Sequence, residues 1–159
     1  MANTDKQVVF IDANVPDLRD LLSGLAPGVR AFVLDPHRNG LAQIARILAT
    51  HDLTDLSSIS IVGHGSSGAI EVGGTTLDNG RLSSHAAALN KIGAALAPDG
   101  ALQLYSCDVA SGIAGQQFMA DLSQYAGGVT VDASDRDIGL TAAGENWTLD
   151  ATAGATGSA

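Results

Sequence analysis

Continuous apolar runs alternate along this chain with stripes of helical period. Gln7-Val-Val-Phe-Ile11 is apolar at every position after the first, as a strand buried on both faces requires, and Asp12-Ala-Asn-Val-Pro16 ends it with turn-forming residues. Pro16 suits a first helical turn, and Leu18, Leu21, Leu22 and Leu25 recur at helical spacing until Ala26-Pro-Gly28, so a helix is expected there. Val29 to Leu34 is the next strand. After the polar loop Asp35-Pro-His-Arg-Asn-Gly40, the positions Leu41, Ile44, Ala45, Ile47 and Leu48 mark an amphipathic helix ending near Thr50. The third strand, Ser58-Ile-Ser-Ile-Val62, runs straight into Gly63-His64-Gly65.

Beyond Gly68 the period changes. Ala69 to Val72 and Thr75 to Leu77 flank Gly73-Gly74, the pattern of a tight hairpin. Leu82 to Leu96 then reads as an Ala-rich helix with Leu82, Leu89, Ile92 and Leu96 inward, closed by Ala97-Pro-Asp-Gly100. Ala101 to Cys107 is another strand, Gly112 to Tyr125 a helix with Ile113, Phe118 and Leu122 inward, and Val129 to Val131 a short strand. After a polar loop from Asp132 to Gly139, Trp147-Thr-Leu149 alternates like a final strand. This order predicts an α/β three-layer sandwich: a mostly parallel central sheet of about six strands flanked by helices, with a hairpin after the His-Gly turn. Residues 1–150 are expected to form one domain and 151–159 a flexible tail or linker.

Composition supports a core and narrows the partners. A 45% hydrophobic chain with only 4% aromatics must build its interior from Val, Ile, Leu and Ala, as covered parallel sheets do. Eight Lys and Arg against 17 Asp and Glu give a net charge of -9, which opposes binding to a phosphate backbone, so no nucleic-acid partner is expected. The acidity suits a secreted or halotolerant protein. No apolar run reaches the ~18 residues of a membrane span, so no membrane insertion is expected, and the first residues lack the features of a signal peptide. A single cysteine excludes an internal disulfide and leaves a free thiol.

Two stretches carry candidate chemistry. Gly63-His-Gly-Ser-Ser-Gly68 fits the dinucleotide pattern G-x-G-x-x-G, yet a hairpin is predicted where a helix must begin, and Ser83 to Ala88 lacks the ribose-binding acid. A nucleotide site is therefore rejected. The other feature is positional: His64 and Cys107 each end an apolar strand, and the two strands are joined through one helix. A right-handed crossover would set them side by side, or nearly so, with both side chains at one sheet edge. There an imidazole could take the thiol proton, and the Gly65 and Cys107 amides could form an oxyanion hole. The plainer reading makes Cys107 a small buried hydrophobe and His64 a turn residue. His37, His51 and His85 are assigned to solvated surfaces. Asp12 and Asp35 end the first two strands; together they could hold Ca²⁺, with helix capping the simpler use, and no other cofactor is implied.

A hydrophobic strand ending in His-Gly, and a later one ending in a small residue plus Cys, resemble the signature of caspase-fold cysteine peptidases: caspases, gingipains, clostripain, separase and toxin autoprocessing domains. The separation of about 40 residues is comparable to the ~50 seen between caspase histidine and cysteine. More closely, the chain to about Asp150 resembles an uncharacterised domain family near the N-terminus of giant bacterial surface and RTX-type adhesin proteins. That likeness is carried by Val9-Phe-Ile-Asp12, Leu34-Asp-Pro36, Gly40, Val62-Gly-His-Gly65, Leu104-Tyr-Ser-Cys-Asp-Val-Ala110, Ala133-Ser-Asp135 and Asn146-Trp147. The resemblance implies a cysteine endopeptidase in which His64 and Cys107 are catalytic and Gly65 and Cys107 donate to the oxyanion. Its substrate would be a peptide segment of its own parent chain or another protein. Tyr105 would shape the pocket for the residue before the cleaved bond, favouring an apolar or small side chain, while Asp108, Ser134 and Asp135 border the cleft. The alternative is an inactive member serving as a structural or interaction module of an adhesin.

Overall fold

A computed structural model of the protein describes residues 7–13, 29–106, 108–134, 139–141, 144–146, 149 and 151–153. In chain order the elements are β1 (Gln7–Asp12), β2 (Arg30–Leu34), α1 (Gly40–Thr50), β3 (Leu56–Val62), β4 (Gly65–Ser66), β5 (Ala69–Val72), β6 (Thr75–Asp78), a 3-10 turn (Ser83–His85), α2 (Ala86–Ala94), β7 (Leu96–Tyr105), α3 (Gly112–Tyr125), β8 (Thr130–Ala133), β9 (Gly139–Thr141), β10 (Gly144–Asn146) and β11 (Ala151–Ala153). Six of them form the central sheet, in the order β11-β8-β7-β3-β1-β2. Neighbours from β2 to β8 are parallel; β11 runs antiparallel to β8 at the edge. This is the mixed α/β architecture expected from the alternation, consistent with a three-layer sandwich.

Apolar residues in register make the sheet's core. Val8, Ile59, Leu102 and Val131 occupy one row across four strands, and each is at most 1% exposed. Phe10, Ile61 and Leu104 make the next row. Burying one such side chain stabilises by about 1.5–3 kcal/mol, so the four inner strands are held by their side chains as much as by their ladders. The right-handed crossover rule puts α1, α2 and α3 on one face, and α1 packs against α2 and α2 against α3. Asn39 caps α1 by accepting from the amides of Leu41 and Ala42 at 3.0 and 3.1 Å.

The connection after β3 is the irregular part that matters for function. β4, β5 and β6 form a small antiparallel sheet, with Gly73-Gly74 turning between Val72 and Thr75. Gly73 has φ +60, which the first central position of a type II′ hairpin demands. The hairpin is clamped to the loop before α1: the Gly74 amide donates to the Arg38 carbonyl at 2.6 Å, and a Cβ on Gly40 would lie 2.0 Å from the Val72 carbonyl oxygen. No helix starts at Gly63-His-Gly-Ser-Ser-Gly68, which removes the helix N-terminus that a dinucleotide site needs.

Several expectations are corrected. The helix assigned to Leu82 to Leu96 is a 3-10 turn followed by α2, and it ends at Ala94. Ala97-Pro-Asp-Gly100 belongs to β7: Leu56 pairs Leu96 while Ser58 pairs Ala101, so extra residues loop out of the ladder as a bulge. Ile113, expected inward, is 84% exposed because it sits at the start of α3, before the face carrying Phe118 and Leu122 reaches the core. Leu149 is not in a strand; the last strand is β11, within residues expected to be tail. The helix expected after Pro16, and Trp147, lie outside the described residues.

Candidate active site

β3 and β7 are adjacent and parallel, and their last registered pair is Val62 with Tyr105. The ladder runs one bond further, the Gly63 amide donating to the Tyr105 carbonyl at 3.4 Å. Their connections therefore leave the sheet side by side: Gly63-His64-Gly65 from one, Ser106 from the other. His64 is solvent-exposed. Cys107 and Asp135 lie outside the described residues.

This edge is also where the chain changes direction through the sheet. From β1 it passes to β2 on one side, and from β3 to β7 and β8 on the other, so the carboxyl ends of β1 and β3 are the topological switch point, the place where open α/β sheets bind ligands. Asp12 ends β1 there, 1% exposed. A Cβ on Gly63 would lie 3.5 Å from its Cβ and 3.7 Å from its Oδ2, so the carboxyl group lies beside the His-Gly turn. Asp35 instead serves its own loop, accepting from the His37 amide at 2.9 Å and pairing with Arg38 at 3.5 Å. Among the described residues, no three His, Cys, Asp or Glu side chains gather as a metal site. His37 and His51 are exposed, and His51 rests against the Phe32 ring at 5.1 Å.

The amide of Gly65 has a definite orientation. Glu71 donates to the His64 carbonyl at 2.8 Å, and Gly65 pairs Ile70 in the antiparallel ladder. Hydrogen-bonded and non-bonded pairs alternate in such a ladder, so Gly65–Ile70 is a non-bonded pair. Its N–H points away from β5, on the outer edge of the small sheet.

Around Cys107 the neighbours are fixed tightly. Ser106 is fully buried, and among the described residues its hydroxyl has no hydrogen-bond partner. Asp108 adopts φ +60, a left-handed conformation that Asp tolerates better than most side chains, and its carbonyl accepts from the Ser111 amide at 3.0 Å. The 108–111 loop is tied to two others. Gly68 donates to the Val109 carbonyl at 3.0 Å, the Ser67 hydroxyl donates to the Ser111 carbonyl at 2.6 Å, and the Ala110 amide donates to the Ser134 carbonyl at 2.9 Å. Ser134 is itself buried. The structure thus gathers His64, Gly65, Tyr105, Asp108 and Ser134 at one edge. Sequence reasoning missed Ser67 and Ser111, which meet across 44 positions with no local signal. Beside this junction runs an open groove of about 640 Å³ lined by Gly68, Asp78, Asn79, Gly80, Arg81 and Ala114.

Tyr105 is half-buried, and burial pushes its phenol above the usual value of about 10, with Asp132 on the neighbouring strand adding to the shift. Because the folded value is the higher one, this contribution to stability is intact below pH ~10 and is lost as pH rises through the folded value. Ultraviolet titration in a Tyr125→Phe background should show Tyr105 ionising above pH ~10, and Asp132→Asn should bring that midpoint down. An unshifted midpoint would remove the burial argument.

No curated protein matches the chain. The likeness to caspase-fold peptidases therefore stands on its motif residues and has no support from a relative. A family model described as a domain of unknown function, DUF4347, matches residues 8–159, nearly the whole sequence, and the chain belongs to that family.

Proposed function

We propose that this domain is a cysteine endopeptidase with Cys107 as nucleophile and His64 as base, cleaving a segment of its own parent chain or of another protein at a bacterial cell surface. One observation carries the reading: β3 and β7 lie side by side and end together at Val62 and Tyr105, two residues short of His64 and Cys107 respectively. The thiol gives its proton to the imidazole, and the sulfur forms a bond to the scissile carbonyl carbon. The tetrahedral oxyanion is met by the Gly65 N–H, which its ladder leaves free of β5, and by the Cys107 amide, each such donor being worth about 3 kcal/mol. The intermediate collapses, the leaving amine takes the proton from His64, and water then hydrolyses the thioester. Tyr105 shapes the pocket for an apolar or small residue before the cut, and Asp108, Ser134 and Asp135 border it.

The test uses the parent chain and the isolated thiol. Wild-type protein is expected to react with iodoacetamide at Cys107 faster than a free thiol of pKa about 8.5 would at pH 7, and Cys107→Ala to abolish the cleavage products. An unreactive thiol together with an unchanged cleavage pattern would sink the peptidase reading and leave a structural module.

A further inference from the structure

We infer that Ser67 is a positioning residue that holds the His64 loop and the Cys107 loop at working distance. The inference rests on the dyad proposed above and adds a part to it. Two hydrogen bonds join the loops across a long sequence separation: Ser67 Oγ to the Ser111 carbonyl at 2.6 Å, and the Gly68 amide to the Val109 carbonyl at 3.0 Å. Ser67 lies three residues after His64, at the tip of the β4–β5 turn, and Ser111 is the N-cap residue of α3, four after Cys107. The backbone is shaped for this docking. Gly68 has φ +72, and a Cβ there would lie 2.9 Å from the Ala114 carbonyl oxygen, so the turn sits directly on the first turn of α3.

The Ser111 end of the bond is held from the other side as well, through Ser111 N to the Asp108 carbonyl and Ala110 N to the Ser134 carbonyl at 2.9 Å. The 108–111 loop is therefore rigid toward β8, and the side facing His64 hangs on Ser67 and Gly68. Losing the hydroxyl removes the bond nearer α3 and leaves the turn to pivot on the Gly68 amide. Reacting groups misplaced by about 1 Å lose up to ~10²-fold in rate, so a small pivot is enough to matter.

The pH dependence of Cys107 alkylation by iodoacetamide reports the thiolate fraction, and it separates positioning from mere stability. It is measured in wild type, Ser67→Ala, Ser67→Thr and His64→Ala, alongside self-cleavage rate and thermal midpoint. Ser67→Ala is expected to slow cleavage about 10-fold or more and to move the alkylation profile toward that of His64→Ala, with the thermal midpoint little changed. Ser67→Thr, which keeps a hydroxyl, is expected to restore both. A Ser67→Ala profile and rate within twofold of wild type, while His64→Ala changes both, would overturn the latch alone. A His64→Ala profile identical to wild type would instead overturn the dyad, and the latch with it.

Discussion

Replacing His64 with alanine is expected to slow peptide cleavage by about 10²–10⁴-fold at pH 7 while changing stability by less than about 0.5 kcal/mol. The two parts follow from different features of the residue. Its imidazole is exposed and lies past the end of β3, so no core contact is lost with it. Its backbone carbonyl, which accepts from the Glu71 amide, is unchanged by the substitution, so the small sheet keeps its anchor. What disappears is the proposed base. Without it, the thiol of Cys107 must ionise by itself, and only a few per cent of a thiol with pKa about 8.5 is ionised at pH 7. The residual rate of the variant should then climb about tenfold per pH unit until it levels near pH ~8.5, whereas wild type should not need that climb. Full activity in His64→Ala at pH 7 would show that the imidazole has no part in the chemistry.

Gly93→Ala is expected to destabilise the fold by about 3 kcal/mol, visible as a lower denaturant midpoint with an unchanged slope. Two effects of opposite sign compete at this position. In an exposed helix interior, the exchange gains up to about 1 kcal/mol from helix propensity. Here Gly93 lies on α2 where it meets the end of α3, and the new Cβ would stand 1.7 Å from the Ala126 carbonyl oxygen and 2.7 Å from its carbon. Both are backbone atoms of a buried residue whose amide is bonded to Leu122 and Gln124. No side chain can swing aside, so the two helices must part, and the overpacking cost exceeds the propensity gain. Against a typical total of 5–15 kcal/mol, such a loss is large. A variant as stable as wild type would mean that α2 and α3 pack farther apart than described.

Much of the architecture was legible because the chain's periods are clean. Gly112 to Tyr125 is delimited as a helix by its flanking loop residues, and the strand ending in Val62 is legible from Ile59, Ile61 and Val62 although the buried Ser60 interrupts the run. The adjacency of β3 and β7 also followed, since one helix joins them and right-handed crossovers leave few choices. Two of the misses share a cause: the deciding partner was distant in sequence. Ala97-Pro-Asp-Gly100 carries turn-forming residues, yet it lies along β3, where a Cβ on Gly100 would come within 2.6 Å of the Leu56 carbonyl oxygen. Ala151-Thr-Ala153 has no apolar alternation to announce a strand and is fixed by pairing with Val131 to Ala133. At the site, the side chains ending strands could be named from their positions. The bonds that tie one loop to the next could not, because a serine meeting a distant carbonyl leaves no trace in composition.

The stitching of the 108–111 loop also bears on timing. Its anchors are Ser67 and Gly68 on one side and Ser134 on the other, so the edge is complete only when β8 has been added to β7. Contacts of such long range form late in folding, after the entropy of closing the intervening chain has been overcome. A nascent polypeptide that has produced only the His-Gly hairpin, or even the thiol itself, still lacks the bonds that join the His64 loop to the 108–111 loop. Under the self-cleavage proposed above, that order of events is a safeguard: the blade is assembled last, once the body that carries it has taken shape.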